Sequence, residues 1–60
     1  MGINAGSIKA GMSLAFSGVY VHVEAVAREA AGMVAVTVRD HAGRMVPVRF
    51  HENEFLTVGA

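Results

Sequence analysis

In the stretch Val34-Ala35-Val36-Thr37-Val38-Arg39-Asp40-His41-Ala42-Gly43-Arg44-Met45-Val46-Pro47-Val48-Arg49-Phe50, apolar and polar residues alternate on both sides of a turn signal. Period-two alternation of this kind marks a two-stranded antiparallel hairpin. Setting Val38 against Val46 places Val36 against Val48 and Val34 against Phe50, so all six point to one face. The same register puts Asp40 across from Arg44 and leaves His41-Ala42-Gly43 as a three-residue loop. Such a loop needs its last residue in the left-handed region, and Gly43 supplies it. The opposite face then carries Ala35, Thr37 and Arg39 on one strand, and Met45, Pro47 and Arg49 on the other. Pro47 has no N–H to donate, so its strand belongs at an edge or at a bulge.

Working outward, Val19 to Ala27 reads as the preceding strand, with Val19, Val21 and Val23 on one side and Tyr20, His22 and Glu24 on the other. Val26 breaks that parity, and a bulge near Glu24-Ala25 restores it. A short helix over Val23–Ala31 competes, because Glu24, Ala25, Ala27, Arg28 and Glu29 are good helix formers. The strand is favoured, since a helix this short with no cap is marginal in water. Met12 to Phe16 reads as the first strand, joined to the second by a Ser17-Gly18 turn. After the hairpin, His51-Glu52-Asn53-Glu54 suits one helical turn, followed by a last strand over Leu56–Val58. The expected core is Leu14, Phe16, Val19, Val21, Val23, Val26, Val34, Val36, Val38, Val46, Val48, Phe50, Phe55 and Leu56. Residues 1–7 are expected as a flexible N-terminal lead-in and residues 8–60 as the folded domain.

Sixty residues bound the chain to one domain. Domains of this size bury only about 60% of the surface of their unfolded chain. There is no cysteine, which excludes disulfides and thiolate metal sites, and the default location is cytoplasmic. Hydrophobic residues make up 53% of the chain, enough to leave apolar surface for a partner or a second copy. Five basic and five acidic side chains cancel, which disfavours strong binding to nucleic acid. No apolar run approaches the roughly 20 residues of a membrane span.

The pattern Ala10-Gly11-Met12, Leu14, Phe16, Gly18, Tyr20, Val23, Val26, Val36, Val38, Asp40, Gly43, Val48, Glu54 and Leu56 covers nearly the whole chain. It resembles a bacterial, phage or mobile-element version of the SH3-like small β-barrel. That resemblance implies an all-β fold of five strands, with one helical turn before the last. It also implies a role like that of the accessory barrels of bacterial helicases and transposases, which touch nucleic acid or neighbouring domains. The related Sm-like barrel fits less well, because no amphipathic helix precedes the first strand.

No residues stand out as a catalytic, cofactor or metal set. His22, His41 and His51 have no metal-ligand spacing, and the serines have no evident base. The expected reading is therefore a non-enzymatic interaction or assembly module that associates with itself or another protein. Its candidate surface is Tyr20, Thr37, Arg39, Arg44, Met45, Pro47 and Arg49. The alternative is an accessory nucleic-acid-binding barrel using Arg39, Arg44 and Arg49 on phosphates. Against it, those arginines are expected to be neutralised by Glu24 or Glu52.

Overall fold

The computed structural model describes residues 1–59. The strands are β1 (Gly2–Asn4), β2 (Ser13–Phe16), β3 (Val19–Arg28), β4 (Met33–Arg39), β5 (Met45–His51) and β6 (Phe55–Gly59). They form one antiparallel sheet in the order β1-β6-β2-β3-β4-β5, which leaves β1 and β5 as its edges. β2 to β5 run as a meander, and β6 returns to pair with β2. Short 3-10 turns lie at Ala5–Ser7 and Ala30–Gly32. No helix among the described residues is long and apolar enough to cross a membrane.

The β4–β5 hairpin has the register that its alternation dictates: Val34↔Phe50, Val36↔Val48 and Val38↔Val46. Its loop is closed by the Asp40 N–H donating to the Arg44 carbonyl at 3.0 Å and the Gly43 N–H donating to the Asp40 carbonyl at 3.0 Å. Gly43 has φ +80°, as the loop requires. The Asp40 carboxylate accepts the N–H groups of Ala42 and Arg44, each at 2.9 Å, and so fixes the turn from its own side chain. In the β2–β3 hairpin Phe16 pairs with Val19 around a two-residue turn. Ser17 (φ 53°) and Gly18 (φ 83°) are both left-handed there, the signature of the turn whose twist matches its strands.

β3 is a strand throughout, and its register against β4 skips between Val23↔Val38 and Ala25↔Thr37. Glu24 is the extra residue of a bulge. Val21 and Val23 point inward before it. After it Val26, opposite Val36, points inward again. Without the extra residue the second half of β3 would bury Ala25 and Ala27 and expose Val26. Arg28 ends the strand and donates to the Gly6 carbonyl at 2.7 Å, tying β3 to the first 3-10 turn.

The buried core is Leu14, Val21, Val23, Val34, Val36, Val38, Phe50, Leu56 and Val58, closed by Ala5 and Ile8. Phe16, Val26, Val46 and Val48 pack against it half-buried. Two expected core residues lie outside. Phe55 is 71% exposed, because adjacent residues of a strand face opposite sides and Leu56 takes the inner one. Val19 is 47% exposed, because it sits at the hairpin end, beyond the reach of the opposing side chains. The helical turn expected at His51–Glu54 is a single β-turn, with the Glu54 N–H donating to the His51 carbonyl at 2.9 Å. Residues 1–7, expected as a lead-in, supply β1 on the edge of β6 and the buried Ala5. The sheet thus has six strands where five were expected, and it is not closed.

This register gives adjacent residues opposite tolerance. Val36 is 1% exposed, whereas Thr37 faces out. Val36→Asp forfeits about 1.5–3 kcal/mol of burial and adds an unpaired charge. The total exceeds the ~3–5 kcal/mol that a core of this size supplies, so the variant should be unfolded by circular dichroism. Thr37→Asp should fold. A folded Val36→Asp beside an unfolded Thr37→Asp would reverse the two faces of the sheet.

Candidate interaction surface

Register places the outward side chains of three strands in rows. His22, Arg39 and Met45 form one, Ala25, Thr37 and Pro47 the next, and Ala27, Ala35 and Arg49 the third. The middle of this face is small and weakly polar: Ala25, Ala27, Ala35, Thr37 and Pro47. Its two ends are charged. At one end the Arg39 Nε lies 3.1 Å from Glu24, whose carboxylate is also 3.7 Å from the His22 Nε2. Glu24 faces outward with His22 by the alternation of β3, and the bulge turns Ala25 to that side as well. At the other end the Arg49 Nε donates to Glu29 at 2.8 Å. Glu29 follows β3 and Arg49 belongs to β5, so this bridge passes over β4, where Ala35 leaves room for it. The hydrogen bond and the charge of Glu29 both raise the pKa of Arg49 above its usual value.

Pro47 fits its edge strand for a specific reason. The Asp40 N–H bonds the Arg44 carbonyl at one end of the hairpin, and the Glu52 N–H bonds the Gly32 carbonyl at the other. Hydrogen-bonded and non-bonded pairs alternate along an antiparallel ladder. Thr37↔Pro47 is therefore a non-bonded pair, and the proline nitrogen faces away from β4. No ladder bond is lost. The open edge also lacks its central donor, which weakens it as a template for another strand.

The expected site residues divide accordingly. Thr37, Arg39, Met45, Pro47 and Arg49 share the outer face of β4 and β5. Arg44 stands at the hairpin tip, 3.6 Å from Asp40 and largely in solvent. Tyr20 faces out two residues before His22, where its ring lies against Gly59. It is 52% exposed and belongs to the part of β3 that pairs with β2, away from β4 and β5. Glu29 lies beyond the strand that alternation marks over Val19–Ala27, and neither it nor Ala25 and Ala27 was expected on this face. Parity counted from the bulge identifies both alanines. Phe55 was expected in the core, and its ring instead fills the space above Gly2 that a Cβ would take.

The three histidines lie apart. His22 joins the Glu24 cluster, His41 is in the hairpin loop, and the His51 Nδ1 accepts the Asn53 N–H at 3.3 Å. Among the described residues no three metal-ligating side chains gather, and no pocket indents the surface. Set against protein-family models, curated proteins and solved structures, the chain matches none of them.

Asp40 gives this end of the molecule a pH dependence. Its carboxyl is held below the ordinary carboxylate value by the Arg44 N–H above all; desolvation opposes this and is second in size, and the Ala42 N–H and the Arg44 charge add to the lowering. A depressed folded value means that stability is present above the unfolded pKa of about 3.9 and is lost as pH falls through the folded value. Asp40→Ala should therefore lower Tm at neutral pH, and its gap from the parent protein should narrow toward about pH 2. A gap that stays constant in thermal melts across that range would mean that the charge plays no part.

Proposed function

We propose that the chain is a non-enzymatic interaction module, built on an SH3-like small barrel, that associates with copies of itself. The single observation that carries this reading is the outer face of β3, β4 and β5. A small-residue centre of Ala25, Ala27, Ala35, Thr37 and Pro47 lies between two ion-paired ends. An uncharged centre with a charged rim is the layout of a protein interface. The barrel reading is supported by the single core that the strands share, with β6 returning to pair with β2. The non-enzymatic reading is supported by the way the carboxylates are used: Glu24, Glu29 and Asp40 each engage an arginine.

Binding to nucleic acid ranks second for the same reason. Arg39, Arg44 and Arg49 each lie within 4 Å of a carboxylate that a phosphate would have to displace. Net charge is zero, so no long-range field assists the exchange.

Sedimentation equilibrium from micromolar to millimolar concentration tests the proposal. Mass should rise with concentration, and Thr37→Asp should suppress the rise while leaving the fold intact. A monomer across the whole range overturns self-association. Binding of single-stranded nucleic acid that weakens steeply with salt, and disappears in Arg39→Ala/Arg49→Ala, would favour the second reading.

A further inference from the structure

The Glu29–Arg49 bridge lies across β4 with its acid on the β3 side and its base on the β5 side. That arrangement is antisymmetric about β4. A two-fold axis parallel to β4, running between two facing copies, lays β3 of one over β5 of the other. The two bridges then stack antiparallel, with acid over base at both ends. An axis perpendicular to the strands would instead lay β3 over β3, and bring Glu29 of one copy toward Glu24 of the other. The face is therefore self-complementary in charge about one axis and self-repelling about the other.

Either axis keeps the strands of the two sheets nearly aligned, the usual way in which sheets pack face to face, so the charges decide between them. The positions nearest the axis are Ala35 and Thr37, with Ala25, Ala27 and Pro47 flanking them. Ala25, Ala27, Thr37 and Pro47 keep the face low around the bridge, which itself covers Ala35, so that Glu29 can reach Arg49 of the second copy where the two bridges meet. Arg39 also falls near the axis and meets its own counterpart there. Each Arg39 brings its Glu24, 3.1 Å away, so the like charges do not meet bare.

We infer that two copies of this chain pair face to face through β3, β4 and β5 about a two-fold axis parallel to β4, exchanging Glu29–Arg49 contacts. This inference rests on the self-association proposed above, and supplies its geometry. The shared face spans three strands about 4.8 Å apart and some 20 Å of their length, well below the ~800 Å² per partner of a standard interface. The pair is therefore a weak one, filled in the upper part of the concentration range.

Charge reversal tests the geometry. Alone, Glu29→Arg and Arg49→Glu should each weaken self-association on the order of tenfold, because like charges meet twice across the axis. Mixed in equal amounts they should associate at least as well as the parent protein, since one chain now presents two cations and the other two anions. The double variant Glu29→Arg/Arg49→Glu should also associate. A charge-matched mixture of Glu54→Lys with Lys9→Glu, both outside the face, measures non-specific attraction and should not exceed the parent protein. Circular dichroism confirms the fold of each variant. If the parent protein associates but the mixture does no better than the single variants or the control, the geometry is overturned and self-association stands. If the parent protein is monomeric throughout, both fall.

Discussion

Two backbone N–H groups and one carboxylate hold the register on which the molecule depends. Asp40 accepts from Ala42 and Arg44 and locks a loop whose last residue, Gly43, is left-handed. A slip of one residue would turn Val34, Val36 and Val38 to solvent and put Ala35, Thr37 and Arg39 in their place. For a chain this small, with no disulfide, such a slip removes most of one core strand. The turn and the alternation of the strands specify the same register independently, so local and global preferences reinforce each other.

Once β4 is set, its neighbours follow by parity. β5 contributes Phe50 fully and Val46 and Val48 in part. β3 must satisfy β2 on one side and β4 on the other over ten residues, and it does so by admitting Glu24 as an extra residue. That bulge has two consequences. It returns Val26 to the core, and it turns Ala25 outward beside Glu24, which engages Arg39 and His22. A packing requirement inside thus changes which residues line the outer face.

The hairpin, the Glu24 bulge and the Ser17-Gly18 turn were legible in the sequence because each is written in consecutive residues. What was not legible depends on distant neighbours. Phe55 and Leu56 both look like core residues until the strand pairs, after which parity admits one of them and selects Val58 as its mate. Ala5 and Ile8 lie in a segment with no period, and are buried only because β1 joins β6 and carries the chain back across the core. The arginines were expected against Glu24 or Glu52; Arg39 takes Glu24, and among the described residues none takes Glu52. Arg49 finds Glu29, twenty positions away, across an intervening strand. A bridge that spans three strands leaves no local mark in the sequence. The outer face was therefore readable as a set of residues on β4 and β5, and its contribution from β3 was not.

β5 is an edge strand, and on the self-association proposed above its register leaves the sheet face, and not the edge, for contact. Amide hydrogen exchange along β5 tests this most directly. Val46, Val48 and Phe50 donate toward β4 and should exchange slowly. Met45 and Arg49 point to the open edge, should exchange fast, and should remain fast as protein concentration is raised. Equal protection at all five amides would instead place β5 inside a closed or edge-paired sheet.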